Sequence, residues 1–252
     1  MKTPIRPHPR LQVSVTQVGA ERAPVMVVDN FIVNADELVE DAATEHPFRP
    51  FALYYPGVRA PVPAMYPLAV YQILKDPIRT VFGLDGLDVV MADSDFRMVT
   101  RRPDGLHARQ KVPHYDIADP NVVVVLHYLA KRPFGGTSMY RHRGTSFERI
   151  AGNRVDPFET AIAEELKSWQ PPGFVDGDTP HFERIAQFPA LFNRALIYRG
   201  ISLHAGDIGA DFPFDTDPRS GRLTANTVFF FGPPMPSLVA RRESAGTDGR
   251  ST

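Results

Sequence analysis

The chain has 252 residues, with 28 Lys+Arg against 29 Asp+Glu, 25 Pro, 18 Gly and no Cys. The near-neutral balance argues against a broad electrostatic footprint for nucleic acid or an anionic membrane surface. The lack of Cys removes disulfides, thiol nucleophiles, zinc ribbons and iron–sulfur sites.

At about 150 residues per domain the length fits one large domain spanning 1–252, as β-barrels and sandwiches often do. The start, MKTPIRPHPR, has no apolar signal core, and the longest aliphatic run, Val122 to Leu126, is far below the roughly 18 residues needed to cross a bilayer. A soluble cytoplasmic protein is the expectation. Val25 to Val28 reads as a first short strand. Asn34 then offers an N-cap with Glu37 three residues on, and Ala35, Leu38, Val39 and Ala42 at helical spacing predict a helix over about 35–45. A second helix is expected from Tyr66 to about Lys75. A third spans 157–169, with Asp156 as cap, Pro157 at the first position, and Phe158, Ala161, Ile162, Leu166 and Trp169 in one stripe.

Strands dominate the rest: Phe96 to Thr100, Val122 to Ala130, Thr137 to His142, Ala195 to Arg199, Ile201 to His204 and Leu223 to Phe231. They are rich in β-branched and aromatic residues and bounded by Gly, Pro and Asp. Many short strands with a few helices predict a mainly β sandwich or barrel carrying helices on one side. Residues 11–94 are expected to support this core, and the polar tail 241–252 to be mobile.

His114-Tyr115-Asp116 places two metal-ligand types at i and i+2, which an extended strand points to one face. After this pair come the apolar strand NVVVVLHYLA, the turn FGG and the strand TSMYRH. Much later RALIYRG leads into Ser202-Leu203-His204, and Gly221-Arg222-Leu223-Thr224 opens the last long strand. In order and spacing, residues 95–232 resemble the Fe(II)/2-oxoglutarate-dependent oxygenases, most of all their prolyl-hydroxylase-like branch. The resemblance implies a double-stranded β-helix (jelly-roll, cupin-like) core. It implies His114, Asp116 and His204 as iron ligands, and Arg222 with Tyr128 as the holders of the far carboxylate of 2-oxoglutarate. Ascorbate would support such an enzyme in vitro.

The chemistry behind each part is general. Two imidazoles and a carboxylate on one face of octahedral Fe(II) leave three positions open, two for a 2-oxo acid and one for dioxygen. A guanidinium clamps the far carboxylate in a bidentate fork. Hydroxylation of an amino acid, a peptidyl side chain or a small metabolite is the expected reaction. The carboxylate at Asp116 disfavours halogenating variants, which leave that position to chloride. The rival reading is a non-catalytic cupin-type protein that binds a metal or ligand in the same barrel.

Other residues compete for these roles. His181-Phe182-Glu183 is a second possible metal pair, and His107 and His142 lie near the motif. Arg219 is an alternative clamp, but DPRSG reads as a turn, and rigid elements hold a site better. His127 alternates away from Tyr128 and is expected to be structural. Tyr54 to Pro61 reads as a loop, packed on itself or covering the barrel mouth. The long connection Asp207 to Ser220 could act as a lid.

Overall fold

The structure, a computed structural model, describes residues 3–50 and 55–234. Eleven strands form two antiparallel sheets. In chain order they are β1 (Gln12–Val18), β2 (Ala23–Asp29), β3 (Arg49–Pro50), β4 (Gly57–Pro61), β5 (Asp88–Val99), β6 (Val122–Tyr128), β7 (Gly136–His142), β8 (Phe182–Pro189), β9 (Arg194–Arg199), β10 (His204–Gly206) and β11 (Leu223–Gly232). The large sheet runs β1-β2-β9-β6-β11-β5-β4-β3 and the small one β10-β7-β8. His114 adds a bridge at the open edge of β10. The β5-β11-β6-β9 centre of the large sheet faces the small sheet, and each successive strand from β5 onward adds to one or the other. This is the double-stranded β-helix.

Period-two alternation sorts the side chains of the large sheet between two cores. On β6, Val123 and Val125 turn outward and Val124, Leu126 and Tyr128 turn into the barrel, so the whole strand is buried. On β9, Ala195 and Ile197 turn outward while Leu196 and Tyr198 turn inward. The outer core is closed by α1 (Ala35–Thr44) and α2 (Tyr66–Phe82), which bury Leu38, Val39, Val70, Leu74 and Ile78 against Phe96, Met98 and Phe229. Each such fully buried aliphatic side chain contributes about 1.5–3 kcal/mol.

Four expectations are corrected. The helices do not all cover one side: α3 (Val155–Ser168) sits on the small sheet, where Phe158 and Ile162 pack with Tyr140, Phe182 and Leu203. Its N-cap is Arg154, not Asp156, because the helix starts two residues earlier, off a 3-10 turn at Gly152–Arg154. The second helix does not stop at Lys75 but continues through Pro77 to Phe82. Burial of Ile78 and Phe82 outweighs the one helical hydrogen bond that proline removes. Residues 57–61 are not a loop but β4, paired with β5. Tyr54 and the tail 241–252 lie outside the described residues. Strands β1 and β2 join the large sheet, so the N-terminal third shares its core. Among the described residues no helix is long and apolar enough to cross a membrane.

Candidate metal centre

His114 follows two single-turn 3-10 helices, Pro103–Gly105 and Ala108–Gln110, and enters the barrel edge opposite His204. The two residues exchange both backbone hydrogen bonds: His114 N–H to His204 O at 2.9 Å and His204 N–H to His114 O at 2.8 Å. Two residues on, Asp116 N–H donates to Gly200 O at 2.8 Å, which fixes the extended backbone. Directly opposed residues of such a pair project to the same side of the sheet. The two rings accordingly lie 4.5 Å apart, centroid to centroid. Asp116 reaches both: its Oδ2 is 3.5 Å from His204 Nε2 and its Oδ1 is 4.0 Å from His114 Nε2. One ligand atom from each of the three lies within 4.8 Å of the others, the only such His/Asp/Glu group among the described residues.

The protonation of the set suits a metal. His204, 6% exposed, gives its Nδ1 proton to Ser202 O at 2.9 Å, so its Nε2 carries the lone pair. The Tyr198 hydroxyl donates to that nitrogen at 3.1 Å. His114 is open along its outer edge (49% of the side chain exposed) but turns Nε2 toward Asp116. Desolvation of its inner edge and the His204 ring beside it lower its pKa below the usual imidazole value, against the opposing pull of Asp116 and the Val112 backbone. Neutral imidazole is the form that ligates.

Arg222, just before β11, is 6% exposed and turns into the barrel with its neighbour on the same face, Thr224. Its Nε donates to Phe134 O at 3.1 Å and its Nη2 to Gly136 O at 2.8 Å. No carboxylate lies within ion-pair distance of it among the described residues. Its guanidinium carbon is 5.9 Å from the centre of the Tyr128 ring. Tyr128 is 1% exposed and donates its hydroxyl to Thr137 Oγ1 at 2.7 Å. Burial pushes the Tyr128 pKa up to about 12 and that of Tyr198 well above its usual value; Asp116 adds to the Tyr198 shift, and Arg222 opposes both. Both phenols are neutral donors.

Three further residues of this interior had no motif to announce them. Arg97 on β5 binds Asp95 through its Nε at 2.6 Å and lies over Tyr55 at 5.7 Å. Asn226, opposite Asp95 and Leu126, keeps a buried Oδ1 with no partner among the described residues. Tyr198 and Arg97 were readable only from alternation: each sits two positions from another inward residue on its strand.

The rival residues are engaged elsewhere. His181 Nδ1 and His142 Nε2 share Glu165 Oε2, at 3.1 Å and 2.9 Å, while Glu183 pairs with Arg141. His107 caps the second 3-10 turn. Arg219 is an exposed partner of Glu40, far from the role of a buried clamp. His127 is fully buried between Tyr66 Oη (3.0 Å) and Asn193 Oδ1 (3.1 Å) on the outer face of β6. In the 207–220 connection, Ile208 and Phe212 pack on Val99, Ala130 and Phe134 at one end of the barrel.

The backbone is similar to that of SnoK, a non-haem α-ketoglutarate-dependent carbocyclase from nogalamycin biosynthesis, with 11% identity, 86% of this chain and 85% of that chain covered, and a TM-score of 0.46. It is similar to HygX from Streptomyces hygroscopicus, solved with nickel and 2-oxoglutarate bound (16% identity, 85% of each chain, TM-score 0.46). A third such structure is the epimerase SnoN from nogalamycin biosynthesis (10% identity, 92% of this chain and 88% of that one, TM-score 0.47). No curated protein matches the sequence significantly. The family model described as "Family of unknown function (DUF6445)" matches residues 9–230, and the chain belongs to that family.

Proposed function

We propose that this protein is a non-haem Fe(II)- and 2-oxoglutarate-dependent oxygenase that hydroxylates an amino acid, a peptidyl side chain or a small metabolite. The observation that carries the reading is a buried cation, Arg222, with no carboxylate within ion-pair distance among the described residues, in the same barrel as the His114–Asp116–His204 set. An unpaired buried charge costs several kcal/mol. A carboxylate arriving with a ligand removes that cost; a barrel that only held a metal would leave it standing.

His114 and His204 would each offer a neutral imidazole nitrogen, and Asp116 a carboxylate oxygen, a donor set that suits Fe(II) with open positions. Ser202 O holds the His204 tautomer. Arg222 would clamp the far carboxylate of the cosubstrate, with Tyr128 beside it turning its hydroxyl from Thr137 to the same group. Iron bound there would supply oxidation of a C–H bond by dioxygen, coupled to decarboxylation of the 2-oxo acid. The order of the His-x-Asp pair, the Tyr128-Leu129 and Gly135-Gly136 strand pair, His204 and Arg222 supports placement in the prolyl-hydroxylase-like branch, and with it hydroxylation.

Anaerobic calorimetry tests the assignment. The parent should bind Fe(II), and its Fe(II) form should bind 2-oxoglutarate. Asp116→Ala should weaken metal binding at least about tenfold without unfolding the chain, since second-sphere changes alone cost that much. Arg222→Lys should leave metal binding near the parent level and weaken 2-oxoglutarate binding about tenfold or more, because the planar fork is lost while the charge is kept. Metal binding without 2-oxoglutarate binding in the parent would point to a binding protein of cupin type. Turnover assays with ascorbate then follow with candidate substrates.

A further inference from the structure

We propose that Tyr198 is a positioning residue of this centre, its hydroxyl donating to the metal-bound end of the 2-oxo acid. The inference rests on the metal and cosubstrate reading above and goes beyond it, because no motif assigns this tyrosine.

Three observations lead to it. Tyr198 is on the inward face of β9 and 3% exposed, so its hydroxyl is a buried donor. It meets His204 Nε2 at 3.1 Å, the lone pair that a metal would take. The two rings are nevertheless only 4.7 Å apart, inclined at 55°. A hydroxyl aimed end-on at the nitrogen would hold the ring centres farther apart, so the phenol lies alongside the imidazole. When Nε2 is given to a metal, the hydroxyl loses its acceptor. A buried donor then needs another acceptor.

Which acceptor follows from the surroundings. Tyr198 is two residues along the chain from Gly200, whose carbonyl accepts the Asp116 N–H, and it pairs with Val124 of β6, four residues before Tyr128 on the same inward face. It therefore sits beside the metal ligands on the face that runs on to Tyr128, one of the two residues that would hold the far carboxylate. A 2-oxo acid spanning that interval places its chelating oxygens beside this hydroxyl. A phenol donates to such an oxygen without competing for the metal.

Tyr198→Phe keeps the ring and removes only the donor. With the parent and the variant held anaerobically, Mn(II) or Fe(II) affinity is measured alone, then 2-oxoglutarate affinity and the visible metal-to-ligand charge-transfer band of the Fe(II)–2-oxoglutarate complex. We expect metal affinity within about threefold of the parent, 2-oxoglutarate affinity lowered about tenfold, and a displaced band, as befits the loss of one hydrogen bond to a charged group. An unchanged band with unchanged 2-oxoglutarate affinity would overturn the proposal while leaving the oxygenase reading intact. A loss of more than about tenfold in affinity for the metal alone would also overturn it, since Tyr198 would then support the protein ligands. A parent that binds neither metal nor 2-oxoglutarate would remove both readings together.

Discussion

A fully buried imidazole loses stability for the fold as soon as it takes up a proton, and His127 is one. Burial lowers its pKa to about 4, against a smaller opposing effect of its bond to Asn193. In the unfolded chain a histidine titrates near 6.5. The folded state therefore disfavours the proton: the stabilisation is complete above about pH 6.5 and is lost as the pH falls from there through 4. Linkage sets the size at about 2 kcal/mol at pH 5 relative to pH 7.5. Tyr66 and Asn193 hold the neutral ring from both sides, with Asn193 Oδ1 also accepting from Ile32 N–H at 3.1 Å. His127→Gln should lower stability at pH 7.5, because the paired groups lose their fit. Its further loss between pH 7.5 and pH 5 should be about 2 kcal/mol smaller than the parent's in urea denaturation. An equal loss in both proteins would show that His127 titrates normally. At this scale the sequence was informative where spacing forces a face: His127 and Tyr128 are neighbours, so one must turn outward when the other turns in. Tyr198 and Arg97 carry no motif, and alternation gives their inward direction only once the strand register is known.

At the scale of elements, the strands that were legible are those at the centre of the sheets. Strands β6, β7, β9 and β11 leave no residue fully exposed, and β6, β9 and β11 read as largely apolar or aromatic runs. The missed strands are at or next to an edge: β1 and β3 end the large sheet, β4 neighbours its edge, and β8 ends the small one. Edge strands face water and carry polar residues, as QVSVTQV and FERIAQFP show, so the hydrophobic signal fades there. Their placement relies on long-range contacts invisible to local pattern. Glu148 is the clearest case. Its carboxylate, 2% exposed, accepts the Ala20 N–H at 3.0 Å, the Glu21 N–H at 2.9 Å and the Arg141 Nε–H at 2.8 Å. It thus ties the β1–β2 turn to the small sheet across 127 residues of sequence. Gly19 in this turn has φ +70°, and a Cβ there would fall 2.1 Å from Glu148 Oε2, so only glycine fits. Glu148→Ala removes the acceptor from two backbone donors and a guanidinium at once. It should cost about 3 kcal/mol in urea denaturation and raise hydrogen exchange at the Ala20 and Glu21 amides before other sites. Unchanged exchange at those amides would mean that the turn is held by other contacts.

Across the whole molecule, the candidate centre joins the segment entering the barrel to the edge strand β10. His114 and Asp116 share backbone bonds with His204 and Gly200 at the open edge of a three-stranded sheet, and Tyr115 between them packs toward Phe158 of α3. A metal held by all three side chains would cross-link the incoming segment to β10. Because the unfolded chain separates these residues, binding to the folded state shifts the equilibrium by mass action: at a free metal concentration one hundred times Kd, stability rises by about 2.7 kcal/mol. For a chain of this size each kcal/mol moves Tm by about 2–4 °C, so a rise of roughly 5–10 °C is expected with saturating Mn(II) or Fe(II) under anaerobic conditions. Chelation should reverse it, and Asp116→Ala should show little of it while retaining the Tm of the metal-free parent to within a few degrees. A Tm rise that Asp116→Ala kept in full would place the bound metal outside the His114–Asp116–His204 set. The variant thus separates a metal held at the barrel edge from one bound elsewhere on the folded chain.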